Sequence, residues 1–200
     1  MNSLTLLPHL KNHILQKSEL TGIIQLLRTS RKILITAHSN PDGDAIGSSL
    51  AMFGYLKKKG HDVSVMIPDP DPEFLHWMPF HSSIMVFLDQ RELCLEALKN
   101  AEVIFCLDYN GLGRLGRAEE AVRNTRAIKI LIDHHRDPAP DFDHVLSVIE
   151  TSSTCELVYD FIAGCGDAGL IDRCAAVGTA RRAESILVAT PTTVGTRLVQ

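Results

Sequence analysis

The chain has 200 residues, enough for one large domain or for one domain with part of a second. Hydrophobic residues make up 45% and charged residues 22%, the ordinary balance of a soluble globular protein. A formal net charge of −4 excludes a global basic field for long nucleic acid, and small anionic substrates stay open because a metal ion supplies its own positive charge.

Residues 1–17 read as a weak helical stretch interrupted by Pro8, and Glu19–Thr29 as a helix with Leu20, Ile23, Ile24 and Leu27 on one face. The apolar run Ile33–Ala37 reads as a buried strand ending in His38. A polar turn, Asn40–Pro41–Asp42–Gly43–Asp44, leads into an amphipathic helix from about Ala45 to Lys59, with Gly60 as its C-cap. Val63–Ile67 is a second strand. The Pro-rich loop that follows, PDPDPEFLHWMPF, carries one short helix at Glu73–Trp77. Its acids are expected to face solvent, and Trp77 and Phe80 to seal a core edge.

Ser83–Phe87 is a further strand and Arg91–Lys99 a helix. Val103–Leu107 is a strand ending in Asp108. A Gly-rich loop, Tyr109–Gly116, contains Arg114 and passes into a helix reaching about Arg123. Ile128–Ile132 is another strand, ending in Asp133–His134–His135, and Val145–Ile149 is a short one. Ser152–Ser153–Thr154 caps a helix to about Ile162, with Glu156 placed as a capping-box partner. Strands alternating with helices call for an α/β fold, a parallel sheet with helices on both faces.

Three of these strands end in acid or histidine, at the edge where open α/β sheets bind ligands. His38, Asp42 and Asp44 can face one point across their turn, and such donors suit a hard or borderline divalent ion. Asp42 and Asp44 serve equally well as turn and cap residues, so their turn alone does not decide between cap and ligand. The other two strand ends tip the balance, because core packing does not explain Asp108 or the pair His134–His135. The five cysteines form no C-x-x-C pair, so reduced thiols in a cytoplasmic protein are expected. No apolar run is long enough to span a membrane.

Together H-S-N-P-D-G-D-A-I-G-S at 38–48, Asp108, I-D-H-H at 132–135 and S-S-T-C-E-L-V-Y at 152–159 resemble the DHH phosphoesterase superfamily, in its oligoribonuclease/pAp-phosphatase branch. The resemblance covers roughly residues 20–165. It implies a three-layer DHH domain with two Mn2+ ions, Mg2+ being the alternative. His38 and Asp42 would bind one ion, Asp44 and His134 the other, and Asp108 would bridge them. Asp133 would orient the site, His135 would contact the scissile phosphate, and Arg114 would hold a phosphate or stand solvated.

The implied substrates are short oligoribonucleotides and 3′-phosphoadenosine 5′-phosphate. A cyclic-dinucleotide phosphodiesterase, another DHH phosphohydrolase, or an inactive domain that binds metal or nucleotide are the alternatives. A homodimer is compatible with the sequence. Residues 1–18 form an extension, 19–172 the DHH domain, and 173–200 an atypical tail without Asp or His. The family pattern expects there a strand ending in a metal-binding aspartate and then a substrate-binding domain. A shifted frame or a truncation is therefore expected, with weak binding of the second ion and poor turnover.

Overall fold

Period-two burial sorts the strand residues onto two faces of a sheet, and the helices follow from that sorting. The computed structural model describes residues 17–170. The predicted extension and tail therefore lie almost wholly outside the described residues. Six parallel strands run in the order β3-β2-β1-β4-β5-β6. They are β1 (Lys32–Thr36), β2 (Asp62–Ile67), β3 (Ile84–Val86), β4 (Val103–Leu107), β5 (Ile128–Asp133) and β6 (His144–Ser147). The helices are α1 (Lys17–Leu26), α2 (Gly43–Lys58), α3 (Arg91–Asn100), α4 (Glu119–Arg123) and α5 (Thr154–Gly164).

Ile33, Ile35, Val63, Val65, Val103, Phe105, Ile130 and Ile132 point to the face covered by α1, α2 and α5. Leu34, Met66, Ile104, Cys106 and Leu131 point to the other, against Cys94 and Leu98 of α3 and Val122 of α4. Strands buried on both faces read as continuous apolar runs, which is why the sequence shows runs and not alternation. Each fully buried Leu, Ile or Phe contributes on the order of 1.5–3 kcal/mol.

Several expectations need correction. The α2 helix is buried nearly all round, not amphipathic. Its first turns lie under Leu75 and Met78 of the β2–β3 loop, and its body packs beside α5. That loop is sealed by Leu75 and Met78, while Trp77 stays 42% exposed. A 3-10 turn at Glu73–Leu75 replaces the expected helix and turns Leu75 inward. The acids of that loop do not all face solvent: the Asp71 side chain is only 4% exposed, beside His81. In the Gly-rich segment a 3-10 stretch, Leu112–Ala118, comes first, kinked at Gly116 (φ 52°), which leaves α4 short. In the α5 cap, Ser153 Oγ accepts from Glu156 N as expected, but the Glu156 carboxylate reaches back to Ser152 N and Oγ.

The chain runs outward from β1 to β3 on one side and from β4 to β6 on the other. The order reverses between β1 and β4, so their carboxyl ends flank the crevice of an open sheet.

Candidate metal centre at the strand ends

His38 follows β1 and is buried. Its Nδ1 donates to the Ser39 carbonyl at 2.8 Å, because a carbonyl can only accept. That leaves Nε2 on the inner side, 3.6 Å from Asp108 Oδ2. Three contacts hold the turn beyond it. Ser39 N donates to the Arg114 carbonyl, Asn40 N donates to Asp69 Oδ2, and Arg117 bonds the other oxygen of Asp69. Asn40 takes a left-handed backbone, φ 51°, which asparagine tolerates better than most residues.

Asp42 is both cap and cluster member. Its Oδ1 accepts from Asp44 N and Ala45 N at the start of α2. It also stands with His38 and Asp108 in a group whose ligand atoms all lie within 4.8 Å of one another. The two readings of this residue are therefore compatible.

Asp44 is held by the start of α5. Its Oδ2 accepts from Thr154 N at 2.8 Å and its Oδ1 from Cys155 N at 2.9 Å. A carboxylate suits a helix N-terminus, where N–H groups have no partner within the helix. Gly47 lets α5 come this close: a Cβ there would meet Cys155 Sγ at 3.1 Å.

Asp108 sits at the centre, 2% exposed. Its backbone is left-handed, φ 65°, a conformation that concentrates at functional sites. Its two oxygens face different neighbours. Oδ2 faces His38, while Oδ1 lies 3.6 Å from His134 Nε2 and 4.0 Å from His135 Nδ1. His134 Nε2 is also 3.7 Å from Asp44 Oδ2. Thr154 Oγ1 donates to Asp108 Oδ1 at 2.8 Å. Asp133 is fully buried; its Oδ1 accepts from His135 Nδ1 at 2.7 Å, and its Oδ2 has no protein partner among the described residues.

The electrostatics follow from this crowding. Burial raises the pKa of Asp44, and the Asp108 charge adds to the rise. Burial also acts upward on Asp108, but the facing His38 ring, the bond from Thr154 and the nearby His134 outweigh it and leave that pKa below the usual value. The facing Asp108 carboxylate is the main cause that raises the His38 pKa, against burial. Two carboxylates this close resist joint ionisation, so the cluster calls for positive charge.

His38, Asp42, Asp44, Asp108, His134 and His135 are thus brought together, with Asp133 behind His135. Arg114 is exposed and reaches the cluster through its main-chain carbonyl. Thr154 was legible only as part of a helix cap; its bond to Asp108 joins residues far apart in sequence. Asp160 lies within α5, and Asp167 accepts from Tyr55 and Lys59. Asp172 lies outside the described residues.

Residues 32–188 match the profile described as the DHH family, N-terminal domain. The chain is 33% identical over 132 residues to the bifunctional oligoribonuclease and PAP phosphatase NrnA of Thermus thermophilus, covering 65% of this chain and 36% of that protein. The crystal structure of an exopolyphosphatase-related protein from Bacteroides fragilis superposes with a TM-score of 0.78 at 34% identity, covering 80% of this chain and 47% of that one. The chain therefore spans less than half the length of each of these relatives, 36% and 47%. Among the described residues no helix is long and apolar enough to cross a membrane.

Proposed function

The chain belongs to the DHH family, and from that premise we propose that its strand-end cluster is the two-ion centre of a phosphoesterase acting on short oligoribonucleotides and 3′-phosphoadenosine 5′-phosphate. One observation carries the reading: Asp108 divides its oxygens between His38 on one side and His134 on the other. His38 and Asp42 would hold one ion, Asp44 and His134 the second, and Asp108 would serve both. The donor set of carboxylates and imidazoles fits Mn2+, with Mg2+ as the harder alternative. The two activities named for the Thermus relative support the substrate class.

When bound, such an ion pair lends Lewis acidity to the phosphate and makes the attacking water acidic. The chain's own residues set the stage. The Ser39 carbonyl fixes the His38 tautomer that leaves Nε2 for a ligand. Asp133 holds His135 by Nδ1, so the remaining ring nitrogen is left to meet the phosphate. Thr154 orients Asp108 by one bond and Asp44 by another. The test is Mn2+-dependent hydrolysis of 3′-phosphoadenosine 5′-phosphate and of short oligoribonucleotides. Absence of both hydrolysis and substrate binding by the Mn2+-loaded chain would overturn the reading.

Thr154→Val keeps the shape of the side chain but removes the hydroxyl bonded to Asp108. Mn2+ affinity should fall about 10–100-fold, the usual cost of losing a group that orients a ligand. Thr154→Ser should restore it. A titration followed by calorimetry reads both variants.

The raised pKa of His38 gives a pH dependence with a definite sign. Without metal, the imidazolium paired with Asp108 stabilises the fold below the usual histidine pKa, and that stability is lost as pH rises through the raised value. Mn2+ needs the neutral ring, so ion binding must expel this proton. The rise in Tm on adding Mn2+ should therefore grow with pH across the neutral range. A hundredfold excess over Kd stabilises by about 2.7 kcal/mol. Thermal melts with and without Mn2+ at several pH values check this; a Tm gain that shrinks with rising pH would contradict it.

A further inference from the structure

The β2–β3 loop holds a second group of metal-ligand type that shares no residue with the strand-end cluster. We propose that Asp71, His76 and His81 bind a borderline transition-metal ion, Zn2+ above all, which clips this loop in place beside the N-terminus of α2.

The geometry points there first. His81 Nε2 lies 2.9 and 3.1 Å from the two oxygens of Asp71. His76 Nε2 lies 3.8 Å from Asp71 Oδ1. One ligand atom from each residue falls within 4.8 Å of the others. Ligands held tetrahedrally about 2.0–2.1 Å from Zn2+ stand about 3.3 Å apart, a spacing that these distances bracket. Two imidazoles and one carboxylate, with a fourth position left for water, form a zinc-type donor set. Mn2+ and Mg2+ prefer more oxygen, and Mn2+ stands lowest in the affinity order of the divalent series.

The rings of His76 and His81 lie 4.3 Å apart at 33° and both present Nε2 to Asp71, so donor atoms of three residues converge on one point.

The backbone is built to hold the rings there. His76 closes the 3-10 turn Glu73–Leu75. Phe80 then takes a left-handed conformation, φ 66°, an outlier for a bulky residue, and turns the chain so that His81 meets His76. The Phe80 ring is anchored on Phe53 at 5.5 Å and lies over Gly54. The clipped loop supports the strand-end cluster from outside. Leu75 lies against Gly43, and Asp69 accepts from Asn40 N. The ion would thus steady the turn that carries Asp42 and Asp44 without touching substrate.

The test uses the full chain stripped of metal and titrated with Zn2+ alone. Asp108→Ala removes the shared ligand and weakens the strand-end cluster, so the Zn2+ that this variant loses when His76→Ala is added reports the loop. We expect one equivalent to remain, and adding His76→Ala to weaken it at least about tenfold. The His76 side chain is 48% exposed, so its truncation leaves the core intact, which a circular-dichroism melt verifies. In the metal-free chains His76→Ala should leave Tm unchanged, while Zn2+ should raise the Tm of Asp108→Ala but not that of the double variant. No Zn2+ bound by Asp108→Ala, or equal affinity with and without His76, would overturn the proposal.

Discussion

Asp108→Ala is expected to abolish the Mn2+-induced rise in Tm and to bring Mn2+-stimulated phosphodiester hydrolysis, low already in this chain, down to background. Among the described residues Asp108 is the one carboxylate placed between the His38 group and the His134 group, so in the proposed two-ion centre its loss would take a ligand from both ions at once. The metal-free variant loses the pairing with His38 and the bond from Thr154 but also the like charge that faces Asp44; a circular-dichroism melt verifies that it is folded. Bis-(p-nitrophenyl) phosphate is a suitable surrogate, since it probes the metal centre without nucleotide recognition. Hydrolysis that persists in Asp108→Ala would place the reaction elsewhere.

Phe161→Ala should destabilise the chain by about 3–5 kcal/mol, the usual cost of emptying a buried aromatic position. Phe161 is fully buried. It meets Phe105 of β4 edge-on at 6.0 Å and Tyr55 of α2 at 6.3 Å. It is therefore the point at which α5 docks on both the sheet and α2. The same helix presents Thr154 and Cys155 to Asp44 and Asp108. Weakened docking should consequently lower Mn2+ affinity even at temperatures where the variant is folded. Phe161→Leu, which keeps most of the volume, should lose much less of both. Denaturant melts and Mn2+ titrations of the two variants check the prediction; equal stability of Phe161→Ala and the parent would refute it.

How far the sequence was legible follows from the range of the physics. The strands could be read because each is an apolar run bounded by turn residues, and doubly buried strands require such runs. His38, Asp108 and His134 could be read because acids and histidines at the ends of such runs have no part in a core. Asp42 could be read both ways, and the structure keeps both. What escaped depends on contacts between residues distant in sequence. Thr154 looks like one of three cap residues until α5 is docked against Asp108. Asp71, His76 and His81 sit in a Pro-rich stretch without periodicity, where acids ordinarily face water. Only the left-handed turn at Phe80 brings them together. The burial of α2 on nearly all sides also escaped, since it depends on Leu75 and Met78 crossing over from the next loop.

Manganese itself reports most directly on whether Asp108 joins a pair of ions. Mn2+ binding should be measured by calorimetry, with electron paramagnetic resonance on the loaded chain. At saturating Mn2+ two ions are expected at the strand ends, the Asp44–His134 ion the weaker, about 3.5–4 Å apart and therefore magnetically coupled, with the coupling absent in Asp108→Ala. A loaded chain that binds one Mn2+ with an uncoupled spectrum, or a coupled pair that survives Asp108→Ala, would contradict it.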